Sequence, residues 1–189
     1  AVKKVNGQVY VSQTLVSDLR PHLRIPGAVQ QPVTPRPRPI ASGIVVIDPG
    51  HGGKDPGATS RYGTQEKGIN LQVARRVASL LTQKGVAVTM TRDDDRFIEL
   101  EDRADVANQR RADLFVSIHA DSAPDPSVSG FTLYVATGAS SDAFRAARSI
   151  DRTMAATGSD SRGIREADFK VLIQTRCPAV LVELGYLSH

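Results

Sequence analysis

The stretch IVVIDPGHGG, residues 44–53, is an apolar run that ends abruptly in Asp48, Pro49 and a histidine, His51, set among glycines. A short apolar run bounded by turn-forming residues predicts a buried β-strand that ends near Asp48. We predict further strands in four later stretches of similar character: VAVTM, DLFVSIH, GFTLYVA and AVLVELG, at residues 86–90, 113–119, 130–136 and 179–185. The nearly continuous apolar character of the last stretch indicates a strand covered on both faces.

Helical patterns separate these strands. Apolar residues at spacings of three and four predict an amphipathic helix from Glu66 to Lys84, with Gly85 placed to end it. We predict further helices over residues 99–111 and from Asp142 to about Ala156, the latter capped by Ser141. Because strands and helices alternate, we predict an α/β fold with a mostly parallel or mixed central sheet flanked by helices.

The N-terminal region differs in composition from the rest of the chain. We divide the chain into residues 1–29, an N-terminal arm or the tail of a preceding module, residues 30–43, a proline-rich linker, and residues 44–189, a single domain. Asn6 and Gly7 provide a turn beside alternating apolar residues, which favours a short strand or hairpin within the arm. The chain begins at Ala1, and we expect a leader or an upstream module to have been removed before it.

Charge and cysteine content limit the functions that this chain can have. Residues 1–40 carry six Lys/Arg and one Asp, a net charge of +5, whereas the remainder carries a net charge of −1. Such a basic arm suits a solvated linker or a contact with nucleic acid, anionic lipid or an anionic wall polymer. No apolar run reaches the roughly 18 to 20 residues that cross a bilayer. Cys177 is the only cysteine, so any metal must be held by histidines and carboxylates, and we expect this thiol to be structural.

Polar residues stand where three of the predicted strands end. Asp48 and His51 follow the first strand, His119 follows LFVSI, and Glu183 follows VLV. Ligands of open α/β sheets bind at the carboxyl ends of the strands, and two imidazoles with a carboxylate suggest zinc. Taken singly, His51 also fits a loop residue or a phosphate-binding turn, and His119 fits a core histidine. Glu183 is costly to bury alone and needs a charge, a metal or a hydrogen-bond partner.

Several motifs occur in an order that resembles a known family. These are IVVIDPGHGGKDPGA, the glutamate in TQEKGINLQVA, TR at 91–92, LEDRADVAN, DLFVSIHAD, GFTLYV and FKVLIQTRCPAVLVELGYLS. From Ile44 to Ser188 the chain resembles the zinc-dependent N-acetylmuramoyl-L-alanine amidases of bacterial cell walls, of the amidase_3 type. The resemblance implies one Zn²⁺ per chain with His51, Glu66 and His119 as ligands and Glu183 as the catalytic carboxylate.

The resemblance also implies an activity and a location. The expected reaction is hydrolysis of the amide between N-acetylmuramic acid and the L-alanine of the stem peptide in peptidoglycan. Zinc-activated water would attack, and Glu183 would serve as general base and then as general acid. Such an enzyme acts in wall remodelling or daughter-cell separation, in the periplasm or at the cell wall. We expect a monomer with no nucleic-acid partner and no transmembrane segment, whose N-terminal region is a candidate for contact with the wall or with a regulatory protein.

Two alternatives from other classes remain open. A zinc carboxypeptidase or endopeptidase would cut the peptide bonds of the stem, and a non-catalytic module would bind the wall without cutting it. Incubation with muropeptides separates these functions, because an amidase releases the peptide from the sugar, a peptidase shortens the peptide and a binding module does neither.

Some details of the site can also be predicted. Asp48 is expected either to orient His51 through its second ring nitrogen or to brace the turn, and the glycines beside His51 to leave room for substrate. Asp121, where the family often has Asn, adds negative charge near the proposed metal. Residues 137–164 have room for one ordinary helix and a loop, so we predict no built-in plug and an open groove.

Other expectations concern the surface and the C-terminus. Arg165 and Glu166 are predicted to lie on the loop before FKVLI, as plain surface or in contact with the stem peptide. Family members commonly continue past this point into a closing helix, whereas this chain stops at His189, so we expect a domain shortened at its C-terminus. His189 is a minor candidate for a fourth metal ligand.

Overall fold

The computed structural model describes residues 2–5, 8–11, 43–123, 125 and 127–188. Strands β1 (Val2–Val5) and β2 (Gln8–Val11) pair antiparallel, as the predicted N-terminal hairpin requires. The turn of that hairpin, nearly all of the proline-rich segment and His189 lie outside the described residues. The proposed division of the chain at residues 29 and 43 therefore stays a prediction.

From Ile44 onward, strands and helices alternate nearly as predicted. The elements are β3 (Ile44–Pro49), α1 (Glu66–Gln83), β4 (Ala87–Met90), α2 (Leu100–Arg110), β5 (Leu114–Asp121), β6 (Phe131–Val135), α3 (Ser141–Ala155), β7 (Ser161–Glu166), α4 (Lys170–Ile173) and β8 (Ala179–Tyr186). Helix α1 starts at Glu66 as expected. Gly85 follows its end with a φ of 78°, a conformation that glycine adopts without strain.

The central sheet of the described domain has the strand order β4-β3-β5-β8-β6-β7. Strands β4, β3, β5 and β8 run parallel to one another, whereas β6 pairs antiparallel with β8 and parallel with β7. The sheet is therefore mixed, which confirms the predicted α/β fold class. Parallel strands β3, β5 and β8 lie side by side, so their carboxyl ends meet at one edge of the sheet.

Two apolar clusters, one on each face of the sheet, hold the layers together. Helices α1 and α3 pack on one face, where their residues Val77 and Ile150 belong to the same apolar cluster as Ile47 and Leu133 of the sheet. Helices α2 and α4 pack on the other face against a smaller cluster that contains Val46, Ala107, Phe115, Val171 and Leu181. Because alternate residues of a strand point to opposite faces, β3 and β5 bury side chains on both.

The structure corrects two local predictions and adds a strand that was not predicted. Helix α3 is capped by Ser140, whose hydroxyl accepts a hydrogen bond from the Ala143 backbone N–H, and Ser141 is already inside the helix. Arg165 and Glu166 do not lie on a loop, because they end strand β7 at the edge of the sheet. Strand β7 was missed because its sequence, SRGIRE, has one apolar residue and no alternation that signals a half-buried strand.

The segment after β6 bears on access to the edge of the sheet. Residues 137–164 contain the single helix α3, as predicted, and then enter β7. Helix α3 packs in the apolar cluster on the α1 face, so it does not cover the opposite face of the sheet. In the part of the chain that the structure describes, no helix is both long and apolar enough to span a membrane.

Candidate metal centre

The loop after β3 carries His51 in a strained backbone conformation. His51 has a φ of 60°, in the left-handed region that side chains other than glycine seldom occupy. A Cβ at Gly50 would lie 2.2 Å from the His119 ring, and one at Gly57 would lie 2.5 Å from Glu66 Oε2. The prediction that the neighbouring glycines leave room for substrate is therefore wrong for Gly50, because the His119 imidazole occupies that room.

Glu66, the first residue of α1, extends over the edge of the sheet, and both of its carboxylate oxygens accept hydrogen bonds. Its Oε2 accepts the Ala58 N–H at 2.9 Å, and its Oε1 accepts the Ala120 N–H at 3.1 Å and the Asn70 side-chain amide at 3.0 Å. Asn70 also donates to the Gly50 carbonyl at 3.3 Å. One helical turn thus fixes the carboxylate and ties it to the loop that carries His51.

The two histidines meet this carboxylate from different elements. His51 Nε2 lies 3.1 Å from Glu66 Oε2, and His119 Nδ1 lies 3.0 Å from Glu66 Oε1. The two rings pack edge to face, with their centroids 4.9 Å apart. One ligand atom from each residue lies within 4.8 Å of the other two, so His51, Glu66 and His119 could hold a metal ion. The structure therefore brings together three residues that are far apart in sequence.

The electrostatics of this cluster favour a cation. Burial alone would raise the pKa of Glu66, but hydrogen bonds with His119, with His51 and with the Ala58 N–H hold that pKa far below its usual range. Burial alone would lower the pKa of His51, but hydrogen bonds with Glu66 and Asp55 outweigh it and raise that pKa. The carboxylate is therefore ionised at every physiological pH, and positive charge beside it is stabilised.

Glu183 lies next to this cluster without joining it. It is the cross-strand neighbour of His119, and both side chains point to the α2 and α4 face of the sheet. Burial, reinforced by the negative charges of Asp121 and Glu66, raises the pKa of Glu183 to about 8. Asp121 thus adds negative charge at the site, as the sequence predicted. This charge contributes to the raised pKa of Glu183.

Asp48 braces the turn but does not orient His51. Its carboxylate is fully buried and accepts hydrogen bonds from the hydroxyl groups of Thr91, at 2.6 Å, and Ser117, at 2.8 Å. It also forms an ion pair with Arg103 at 2.9 Å. The prediction that Asp48 orients His51 is therefore wrong, because these three partners hold the Asp48 oxygens away from the imidazole.

Asp55 takes the role that the sequence had offered to Asp48. Its Oδ2 lies 2.7 Å from His51 Nδ1, and its Oδ1 accepts the Gly57 N–H at 3.0 Å. A carboxylate on Nδ1 leaves Nε2 of the same ring free to bind a metal, which is the usual arrangement around metal-binding histidines. The spacing of four residues from His51 was visible in the sequence, but no local rule favoured Asp55 over the nearer Asp48.

Two buried arginines, to which the sequence patterns assigned no role, hold the loop that carries His51 in place. Arg92 donates hydrogen bonds to the carbonyl oxygens of Gly50, at 2.8 Å, and Lys67, at 2.9 Å, which joins the loop to the start of α1. Arg103 donates to the His51 carbonyl at 2.9 Å. Both arginines come from sequence motifs, TR and LEDRADVAN, whose chemistry becomes visible only when the chain is folded.

A groove leads to this group of side chains along the α2 and α4 face. A cavity of about 500 Å³ is lined by His51, His119 and Glu183 and by apolar residues that include Phe97, Leu100 and Phe169. Cys177 lies outside the lining of this groove, and burial raises the pKa of its thiol to about 11, so it is a poor nucleophile at neutral pH. The groove is large enough to admit part of a polymer chain to His51, His119 and Glu183.

The fold and the site define an α/β protein with a candidate mononuclear metal centre at the carboxyl ends of its parallel strands. The family model described as Amidase_3, N-acetylmuramoyl-L-alanine amidase, matches residues 45–189. The chain therefore belongs to the N-acetylmuramoyl-L-alanine amidase family, as the sequence motifs predicted. Enzymes of this family are hydrolases that are typically zinc-dependent.

Individual relatives agree with this assignment. The chain is 38% identical over 160 residues to the probable cell wall amidase LytH of Staphylococcus aureus, covering 82% of this chain and 52% of LytH. It thus spans about half the length of the curated relatives it matches. Among solved structures, the catalytic domain of the amidase CwlV from Bacillus (Paenibacillus) polymyxa is 43% identical, with a TM-score of 0.71 and coverage of 78% of this chain and 82% of that one. An amidase from Clostridium difficile 630 is 36% identical, with a TM-score of 0.75 and coverage of 78% and 81%.

Proposed function

We propose that this protein is a zinc-dependent peptidoglycan hydrolase that cleaves the amide bond between N-acetylmuramic acid and the L-alanine of the stem peptide. The observation that carries the proposal is the cluster of His51, Glu66 and His119 with Glu183 beside it, together with a groove that His51, His119 and Glu183 line. The relatives named as amidases share this domain, which supports the same activity here.

The donor set supports zinc as the metal. Two imidazole nitrogens and one carboxylate are a common ligand set of catalytic zinc, which binds them at about 2.0–2.2 Å and leaves a position open. Two ligands of one tetrahedral zinc ion therefore lie roughly 3.3 Å apart, close to the 3.0 and 3.1 Å that separate the histidine nitrogens from the Glu66 oxygens. His51, Glu66 and His119 would hold one Zn²⁺ with little rearrangement.

In the proposed mechanism Glu183 moves the proton. When bound, zinc supplies Lewis acidity that polarises the amide carbonyl and lowers the pKa of water from 15.7 to about 7. The pKa of Glu183 falls when positive charge enters the neighbouring cluster, which leaves this carboxylate ionised and able to accept the proton of the attacking water. Glu183 then passes that proton to the departing alanine nitrogen, which would otherwise leave as a poor anionic leaving group.

The remaining residues of the site prepare this step. Asp55 fixes the His51 ring, and Arg92 and Arg103 hold the carbonyl groups of the loop, so the ligands need little reorganisation when substrate binds. The apolar walls of the groove exclude water from around Glu183 and hold part of the substrate. The chain thus contributes orientation, proton transfer and partial desolvation.

Purified protein incubated with defined muropeptides tests the proposal. We expect free stem peptide with an N-terminal L-alanine and intact muramyl sugar, seen by mass spectrometry, with loss of both products after chelation and recovery when Zn²⁺ is restored. Shortened peptides still attached to the sugar would instead identify a carboxypeptidase or endopeptidase. Pull-down with peptidoglycan, but no cleavage under saturating Zn²⁺, would identify a binding module.

The substrate also indicates where the protein acts. Peptidoglycan lies outside the cytoplasmic membrane, so we propose a periplasmic or cell-wall location and a role in wall remodelling or cell separation. We further propose a monomer whose basic N-terminal region contacts the anionic wall or a regulatory protein. Deletion of residues 1–40 should then weaken sedimentation with isolated cell walls, while cleavage of small soluble muropeptides continues.

A further inference from the structure

Three polar side chains stand in a row across three neighbouring strands of the sheet. His119 on β5 is the register partner of Glu183 on β8, and Glu183 is the register partner of Thr132 on β6. Directly paired residues point to the same face of a sheet. On β6 and β8 the next pair, Leu133 and Val182, belongs to the opposite apolar cluster, so Thr132 and Glu183 share the face of the metal centre.

Two members of this row have unused hydrogen-bonding atoms. In the described part of the chain, the buried side-chain oxygens without a hydrogen-bond partner are Asn70 Oδ1, Thr132 Oγ1 and Glu183 Oε2. Thr132 is only 1% exposed, so solvent does not satisfy its hydroxyl. Two of the three unpartnered oxygens therefore belong to cross-strand neighbours, and one of these is the residue proposed to move the proton.

A purely structural role does not explain this threonine. Threonine suits a strand because it is β-branched, but valine has the same shape and carries no polar atom. Burying an unpaired hydroxyl costs stability, about 1–3 kcal/mol in proteins, which valine would avoid. Other buried threonines of the described domain do use their hydroxyl groups, as Thr175 does towards the Val171 carbonyl and Thr153 towards the Ser149 carbonyl. The buried Thr132 hydroxyl therefore lacks the hydrogen-bond partner that its burial calls for.

We propose that Thr132 is a positioning residue for Glu183: its hydroxyl holds Glu183 Oε2 through one bridging water, or directly after a change of side-chain rotamer, so that the other carboxylate oxygen faces His119 and the reacting groups. The inference rests on the proposed function for its effect on rate, but the contact itself does not depend on activity. A hydroxyl suits this role because it both donates and accepts. It can donate to the ionised carboxylate and accept from the protonated one, so the contact survives each transfer of the proton.

The test compares two substitutions of Thr132 with a matched control. Thr132→Val keeps the shape and removes the hydroxyl, Thr132→Ser keeps the hydroxyl and removes the methyl group, and Thr153→Val removes a buried hydroxyl from helix α3, outside the groove. The first measurement is the ¹³C resonance of the Glu183 side-chain carboxyl in δ-¹³C-glutamate-labelled protein, identified by its loss in Glu183→Gln. It is recorded at one pH with and without Zn²⁺, and zinc content and kcat and KM on a muropeptide are measured on the same samples.

We expect Thr132→Val to shift the Glu183 resonance and to lower kcat roughly 10- to 100-fold, the range that corresponds to a lost hydrogen bond to a charged group. Its KM and zinc content should stay unchanged. Thr132→Ser should restore the resonance and bring kcat to within about twofold of the unsubstituted protein, and Thr153→Val should change neither. An unshifted resonance in Thr132→Val, or a Thr132→Ser variant that behaves like it, overturns the inference.

The resonance measurement separates this inference from the proposed function. If the unsubstituted protein proves inactive on muropeptides, the proposed function fails, but a shift in Thr132→Val and its reversal in Thr132→Ser still establish the contact. If Thr132→Val does not fold, Thr132→Ala is compared with Thr132→Ser in the same way, because that pair also differs by the hydroxyl. A Glu183 resonance that is the same in both of these variants counts against the inference.

Discussion

The start of helix α1 and strand β8 each bring a glutamate to the same site, but they surround its carboxylate in opposite ways. Glu66 accepts hydrogen bonds from a side-chain amide and two backbone N–H groups and faces two imidazoles, so its pKa is held far below the usual range. Glu183 lies beside other carboxylates and has a buried oxygen without a partner, and its pKa is raised to about 8.

This difference separates two chemical roles within a few ångströms. A carboxylate that stays ionised and has a fixed orientation is suited to hold a cation. A carboxylate whose pKa lies near neutrality, and responds to a charge beside it, is suited to accept and return a proton. The same residue type can do both jobs because the surrounding donors and charges differ, and four experiments test whether the two regions are as distinct as this comparison says.

The largest effect should come from Glu66→Gln, which tests the helix side of the comparison. A neutral amide removes the only anionic ligand of the cluster, so we expect zinc to be lost during gel filtration and activity to fall to background. Zinc content by elemental analysis and muropeptide turnover measure the two effects. Glu101→Gln is the control, because Glu101 is an exposed glutamate paired with Lys170. A Glu66→Gln protein that keeps a full equivalent of zinc and its activity would contradict the ligand assignment.

Glu183→Gln should have the next largest effect and a different signature. The amide keeps the shape of the side chain but cannot take up a proton, so kcat should fall about 10²- to 10⁴-fold, the usual contribution of general acid–base catalysis. Zinc content and folding should be unchanged, because Glu183 is not expected to hold the metal. Loss of zinc in this variant would erase the distinction between the two glutamates and make Glu183 a ligand.

Asp55→Asn should have an intermediate effect confined to the metal. The substitution weakens the contact with His51 Nδ1, and removal of such a partner typically lowers metal affinity about 10- to 100-fold. Competition with a zinc-binding dye measures the affinity directly. Asp95→Asn is the matched control, because Asp95 accepts a hydrogen bond from the Gly53 backbone N–H in the same loop but has no contact with a histidine. Equal affinities in the two variants would show that Asp55 does not orient the ligand.

The smallest effect concerns the pH dependence of stability in the metal-free protein. Glu183 keeps its proton up to about pH 8 when folded, whereas its ordinary pKa is 4.5, so the unfolded chain releases the proton earlier. Folding stability should therefore decrease as the pH rises from about 4.5 to 8. Glu66 has a lowered pKa, so its stabilising contribution is already complete above pH 4.5 and is lost only in acid.

Thermal unfolding of the metal-free protein and of Glu183→Gln measures this effect. The melting temperature of the unsubstituted protein should fall relative to that of the variant as the pH increases through this window. Parallel pH profiles for the two proteins would show that Glu183 is not protonated in the folded, metal-free state. That result would contradict the proposed difference in pKa between Glu183 and Glu66.

The sequence predicted the regular part of the fold because that part follows local patterns. The apolar runs that became β3, β5 and β8, and the amphipathic spacing that became α1, can be read within a window of a few residues. Strand β7 could not be read, because it is a polar edge strand that forms only where β6 offers it hydrogen bonds. The cap of α3 was misplaced by one residue because Ser140 and Ser141 are equivalent in sequence.

The candidate site divides in a similar way. That polar residues at strand ends should converge was predictable from the topology, and it led to His51, His119 and Glu183. Glu66 as a ligand followed from the resemblance of motifs, not from any local pattern. The contacts of Asp55, Arg92 and Arg103 were not foreseen, because each depends on which carbonyl or ring nitrogen lies within about 3 Å after folding.

By itself, then, the sequence determined most of the elements that form, which family the chain belongs to and which histidines and carboxylates of the strands are brought together. Periodicity and strand ends are properties of neighbouring residues, so they can be recognised from the sequence alone. Only the tertiary structure decided that Asp55 and not Asp48 faces His51, that Gly50 makes room for His119, and that Thr132 lies beside Glu183. Hydrogen bonds and pKa shifts depend on distances between residues that are remote in the chain, and those distances exist only after folding.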